Sequence, residues 1–203
     1  MDGPDSRAYR ECNKCRLIFT ETRYLLSAKS EKKRYLTHKN GIKYKGYVDF
    51  LNQAIEPALP LLNNAMQGLD FGCGPTPTLS VILEQKGFKC DNYDPLFYPE
   101  IHEKEYDFVF ATECFEHFFF PAIEIQRIKK HLKPGGLLII MTETWKSTEA
   151  FANWYYARDC THVSFFHNQT FCYIAEQFGF DAMESNNDRV MLLQKKEGEI
   201  EVN

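Results

Sequence analysis

From residue 47 onward, apolar positions follow two alternating periods. Tyr47, Phe50, Leu51, Ala54, Ile55 and Ala58 recur at i, i+3, i+4, i+7, i+8 and i+11, the spacing of an amphipathic helix with one apolar face. This helix is expected to pack on a sheet edge and to kink or end near Pro57 and Pro60, since proline lacks the helical N–H donor. Short apolar runs then alternate with helical patterns. The runs predict strands at Leu69–Phe71, Phe88–Tyr93, Phe108–Ala111 and Leu137–Met141. The helices between and after them are Leu79–Lys86, Pro121–Leu132 and one opening at Asn168 or Thr170, with Phe171, Ile174, Ala175 and Phe178 on one face and Gly179 at its end. A closing hairpin is read at Phe180–Glu184 and Arg189–Gln194. Alternation of strand and helix predicts an α/β domain, a mostly parallel sheet with helices on both faces. Between Asp94 and Asp107 only a short connection remains, so the third strand of such a sheet is abbreviated.

The first strand runs into Gly72-Cys73-Gly74. Glycine lets a backbone approach a ligand closely, and the helix beyond offers free N–H groups to an anionic group. Asp94 follows at the end of the second strand, about twenty residues past Gly74, a distance that suits an acid holding ribose hydroxyls. Thr112, Glu113 and then Glu116-His117 follow the next strand, and Leu132-Lys133-Pro134-Gly135-Gly136 reads as a helix stop and turn ahead of another strand. A dinucleotide fingerprint would need a further glycine, G-x-G-x-x-G, and Pro77 stands there. A nicotinamide oxidoreductase is therefore disfavoured.

As a set, Leu69-Asp70-Phe71-Gly72-Cys73-Gly74, Tyr93-Asp94, Phe108 to Glu116-His117 and Lys133-Pro134-Gly135-Gly136 resemble the class I S-adenosylmethionine-dependent methyltransferases across residues 68–193. The segment from Phe151-Ala152-Asn153-Trp154-Tyr155-Tyr156 through Arg158-Asp159, Thr161-His162 and Phe165-Phe166 is similar to a bacterial subgroup that often carries a Cys-rich knuckle ahead of the domain. Thr76 departs from the pattern, because many relatives carry glycine there. The resemblance implies a Rossmann-like, doubly wound sheet with an antiparallel C-terminal hairpin strand, and S-adenosyl-L-methionine as cofactor. It implies that Asp70, Gly72, Cys73 and Gly74 surround the methionine portion. Asp94, Pro95 and Leu96 would serve the ribose and adenine, and Thr112, Glu113 and His117 the methionine end. Methyl transfer needs an aligned acceptor and, for a hydroxyl or amine, a base. The candidates for that base are His162, Asp159 and His117, with Trp154, Tyr155, Tyr156, Phe165 and Phe166 as a possible acceptor pocket. Tyr35, His38 and Tyr47 are candidates to close over the cofactor from the N-terminal extension.

The 203 residues divide into an N-terminal extension over 1–45, a methyltransferase domain over 46–196 and a flexible tail over 197–203. The extension carries Cys12-Asn13-Lys14-Cys15. A structural zinc takes four ligands and no second pair lies upstream, so two free thiols beside a turn are expected and no metal ligand is assigned. No run of eighteen apolar residues occurs and the N-terminus is polar, which argues against a membrane span or a secretory leader. The seven cysteines are odd in number and scattered. That suits reduced thiols in a cytoplasmic protein. A net charge of −4 weighs against broad nucleic-acid binding. The basic run from Lys29 to Lys45 keeps RNA or protein methylation as an alternative to a small-molecule acceptor. A non-catalytic cofactor-binding or partner-binding protein is the alternative from a different class.

Overall fold

The computed structural model describes residue 1 and residues 3–198; most of the expected tail, residues 199–203, lies outside the described residues. The chain forms β1 (Tyr9–Glu11), β2 (Ile18–Thr20), α1 (Ala28–Tyr35), α2 (Lys45–Ala58), β3 (Gln67–Phe71), α3 (Thr78–Gln85), β4 (Lys89–Tyr93) and β5 (Tyr106–Thr112). It continues with α4 (Pro121–Lys130), β6 (Leu132–Met141), α5 (Thr148–Phe151), β7 (Ser164–Phe165), α6 (Asn168–Phe178), β8 (Phe180–Met183) and β9 (Val190–Lys195). Six strands make the main sheet in the order β4-β3-β5-β6-β9-β8. The first four are parallel, and β9 and β8 pair antiparallel. The connection from Asp94 to Glu105 adds no strand beyond β4, as the short spacing predicts.

Side-chain alternation divides the core into two layers, because successive residues of a strand face opposite sides. Phe108, Phe110, Leu137, Ile139 and Met141 meet α2 and α3 through Leu51, Ile55, Leu79 and Ile82. Val109, Ala111, Leu138 and Ile140 meet α4 and α6 through Ile125, Ile128, Phe171 and Ile174. The helix expected on a sheet edge, α2, packs over β6 and β9 in the middle of a face instead. Its apolar stripe is wide enough to cover a sheet face, and Pro57 sits inside the helix with a 3₁₀ turn following at Leu59–Leu61. The Lys133–Gly136 turn is absorbed into β6 as a bulge. Tyr106 pairs with Leu132 but Phe108 with Leu137, so extra residues on one strand oppose few on the other.

A second, three-stranded sheet runs β1-β2-β7. It ties the N-terminal hairpin to the segment after β6, around Tyr9, Ile18, Trp145, Phe151, Tyr156 and Phe165. The Trp145 indole donates to the Arg16 carbonyl at 3.0 Å, and Thr170 Oγ1 donates to the Cys15 carbonyl at 2.8 Å. Cys12 and Cys15 lie in the β1–β2 turn as free thiols.

Candidate active site

The carboxyl ends of β3, β4 and β5 open onto a cavity of about 550 Å³, within the range of small-molecule sites. The glycine turn forms one wall. Gly72 has φ +82°, and a Cβ there would fall 2.6 Å from the Cys114 Cβ. Gly74 has φ +66°, and its missing Cβ leaves open space. The turn is held from inside the cavity. Asp94, 7% exposed, accepts from Gly74 N at 3.1 Å, Leu96 N at 2.8 Å and Phe97 N at 3.1 Å. A carboxylate has about four lone-pair positions, so one remains for a ligand. Burial raises the Asp94 carboxyl, and these backbone donors act against it.

Gly72, Cys73, Gly74, Asp94, Pro95 and Leu96 all line the cavity, as do Thr112, Glu113, His117 and His162. Asp70 does not. It is 2% exposed beneath the turn, with Oδ1 unpaired, and burial followed by the charge of Asp94 pushes its carboxyl up to about 7. Asp159 is also absent from the wall. It accepts from Thr161 N, from Thr161 Oγ1 at 2.7 Å and from Arg34 at 2.5 Å. Burial alone would raise its carboxyl, but these donors outweigh burial and hold it well below the usual range. Asp159 is thus a structural anchor, and the expectation that it serves as a base is corrected on that ground. Of the expected aromatic acceptor pocket, none of Trp154, Tyr155, Tyr156, Phe165 and Phe166 reaches the cavity. Trp154, Tyr156 and Phe165 pack around the three-stranded sheet instead, and Phe166 packs in one core layer of the main sheet. Thr76 is exposed, off the cavity wall and not at positive φ, so the position has no need of glycine.

Part of the cavity wall is a cluster of polar groups, with Glu116 buried and Glu113, His117 and His162 half-buried. His162 Nδ1 donates to the Tyr156 carbonyl at 2.7 Å, and His117 Nδ1 to the Thr161 carbonyl at 3.0 Å. Carbonyls only accept, so both rings keep Nε2 as a free lone pair. Burial, then the neighbouring His117, pulls His162 down to about 4. Glu116 accepts from Thr142 Oγ1 at 2.9 Å on Oε2, while Oε1 has no partner. Glu113 occupies a left-handed backbone at φ 49°, a strained state for a side-chain-bearing residue that is concentrated at functional sites. Burial and then Glu116 push its carboxyl up to about 9. Arg7 reaches across to donate to the His162, Ala157 and Asp159 carbonyls, fixing the loop that carries the imidazole.

Across the mouth lies α1. Glu31, Tyr35 and His38, at i, i+4 and i+7, line the cavity together with Tyr47 of α2. Tyr35 donates to Glu31 at 3.3 Å and meets the His117 ring edge-on at 5.2 Å between centroids. Two basic residues pin this strap: Lys32 donates to the Leu96 carbonyl at 2.8 Å, and Arg34 pairs with Asp159. Glu31, Asn40, Glu116 and Arg127 are wall residues beyond those foreseen. The polar stripe at helical spacing was the available signal for Glu31.

The methyltransferase-domain family model matches residues 44–185. The chain belongs to that family. The match spans β3 to β8, and with them every strand that borders the cavity. Among solved structures, the family fold is shared with an O-methyltransferase family protein from Burkholderia thailandensis (18% identity over 83% of this chain and 64% of that one, TM-score 0.55). It is shared with the N-methyltransferase NodS from Bradyrhizobium japonicum in complex with S-adenosylhomocysteine (13% identity, 84% and 99% covered, TM-score 0.53). It is also shared with 1,6-didemethyltoxoflavin-N1-methyltransferase from Burkholderia thailandensis with bound 1,6-didemethyltoxoflavin and S-adenosylhomocysteine (13% identity, 94% and 100% covered, TM-score 0.52). No curated protein sequence matches at a significant level. No helix among the described residues is long and apolar enough to cross a membrane.

Proposed function

We propose that this methyltransferase-family protein uses S-adenosylmethionine to methylate a small-molecule acceptor. One observation carries the proposal: a buried acid, Asp94, holds the glycine turn closed from within the cavity and keeps a lone pair for a ligand. The open space at Gly74 leaves room for a bound group against the turn. The cofactor follows from S-adenosylhomocysteine in NodS and in the toxoflavin enzyme, which share the fold. These residues fit it. Asp94 would hold ribose hydroxyls, with Pro95 and Leu96 beside the adenine. Thr112 and Glu113, at the tip of β5, would face the methionine end.

When bound, S-adenosylmethionine supplies an electrophilic methyl on a sulfonium, open to in-line displacement. The chain contributes alignment and exclusion of water, the main requirements of that step. Tyr35 at the end of α1 and His38 in the turn after it cover the site, while His117 and His162 present lone pairs to an acceptor's hydroxyl or amine. A small acceptor suits a walled cavity under a strap. Lys32 and Arg34 are engaged within the chain, which weakens the basic run as a docking face for RNA or protein. The narrower kinship, to the bacterial subgroup with a Cys-x-x-Cys knuckle, accords with Cys12 and Cys15 meeting in one turn.

Calorimetric titration with S-adenosylmethionine, S-adenosylhomocysteine and, as control, NAD tests the proposal. Micromolar binding of the two sulfur nucleosides alone is expected. Asp94→Ala is expected to weaken it ten- to a hundredfold, since a hydrogen bond to a charged group is worth about 1.5–3 kcal/mol. Equal affinity for NAD, or no effect of the substitution, refutes it.

A further inference from the structure

We infer that Glu116, His117 and His162 form a binding site for one divalent transition-metal ion on the wall of the cavity. One ligand atom from each residue lies within 4.8 Å of the others, and Glu116 Oε1 is 3.9 Å from His117 Nε2. The site is built in three respects. First, each imidazole has its Nδ1–H fixed on a backbone carbonyl, those of Tyr156 and Thr161. That arrangement sets the tautomer and aims Nε2 outward, as metal-binding histidines are oriented by an outer hydrogen bond. Second, the Glu116 carboxylate is oriented by Thr142 through Oε2, and Thr142 in turn bonds to the Tyr156 hydroxyl at 3.1 Å. Third, Oε1 of the same carboxylate has no partner although the Glu116 side chain is 1% exposed. Buried polar atoms are almost always satisfied, and an ion supplies the missing partner.

Two neutral imidazoles and one carboxylate suit manganese, iron, cobalt or zinc rather than magnesium or calcium, which prefer all-oxygen sets. Bonds near 2.0–2.1 Å put neighbouring ligands of a tetrahedral ion about 3.3 Å apart, so binding draws the three donors inward by roughly an ångström. Three protein ligands leave coordination positions open, as in catalytic sites, and all three residues line the cavity. A hydroxyl of the acceptor bound there would be polarised and its pKa lowered. With both Nε2 lone pairs on the ion, the ion and not either imidazole would activate the acceptor, and Asp159 is held away by its own donors. That last role rests on the methyl-transfer proposal; the binding of the ion does not.

The test is titration of chelator-treated protein with Co²⁺, without any nucleoside, followed by visible absorption and by elemental analysis for stoichiometry. Expected are one Co²⁺ per chain, displacement by Zn²⁺, visible ligand-field bands and no near-ultraviolet thiolate band. Cys12→Ser should bind as the wild type does, and His162→Gln should bind at least tenfold more weakly with unchanged circular dichroism. No stoichiometric ion in the wild type, a thiolate band, or undiminished binding in His162→Gln overturns the inference. The wild-type spectrum decides even if the His162 variant misfolds. Binding of S-adenosylmethionine to the same chelated protein is scored separately, so failure of the cofactor proposal and failure of the metal site remain distinguishable.

Discussion

Asp70 shows how much a single position under the glycine turn can determine. It is buried with no donor on Oδ1, and burial followed by the charge of Asp94 raises its carboxyl from 3.8 to about 7. The folded protein therefore keeps a proton that the unfolded chain has lost between those values. Stability from this group is greatest below about pH 4 and falls as pH rises towards 7. Asp70→Asn removes the penalty. In urea unfolding, the variant is expected to gain on the wild type between pH 4 and 8, by up to about 4 kcal/mol at 1.4 per unit. A difference that stays constant with pH sinks this account. Gly72, Gly74 and Asp94 were legible in the sequence because each role follows from local chemistry, a tight turn and an acid at a strand end. Asp159 was not, because one of the donors that hold it, Arg34, lies 125 positions away. Nor was the burial of Tyr156 and Phe165, since aromatic residues suit a pocket and a core equally well.

At the scale of elements, the strands and helices of the main sheet follow their hydrophobic periods closely, and even the missing third strand was visible as a shortage of residues after Asp94. Sequence periodicity failed to reveal the short β1, α5 and β7, and it also failed to reveal α1. None of its residues is buried, so it has no apolar stripe to detect; its Glu31 and Tyr35, with His38 in the turn beyond it, face a cavity rather than a core. Its hold on the body rests on Lys32 and Arg34. Arg34 is 40% exposed, and exposed ion pairs contribute about 0–1 kcal/mol. Arg34→Ala is therefore expected to leave the melting temperature nearly unchanged while loosening the strap. Bound S-adenosylhomocysteine should then dissociate several times faster in stopped-flow fluorescence. An unchanged dissociation rate would mean that α1 does not retain the ligand.

For the whole molecule, the division into an extension over 1–45 and a domain after it hides a second sheet. The first forty-five residues supply β1 and β2 to that sheet and α1 to the cavity mouth. Only β7, two residues long, ties the hairpin in by strand pairing, whereas the main sheet is sandwiched between two cores. Local opening draws on the least buried units first. Hydrogen exchange should therefore find amides of β1 and β2 exchanging at lower opening free energy than those of β5 and β6. Equal protection would make the two sheets one cooperative unit. The pairing of Cys15 with Thr170, 155 positions along the chain, also sets an order of events at the ribosome. The hairpin emerges before its partner and waits for it. At roughly 5–20 residues per second that wait lasts roughly ten to thirty seconds. Throughout it, Tyr9 and Ile18, both buried in the finished protein, lack the partners that cover them, so a segment made early is completed late.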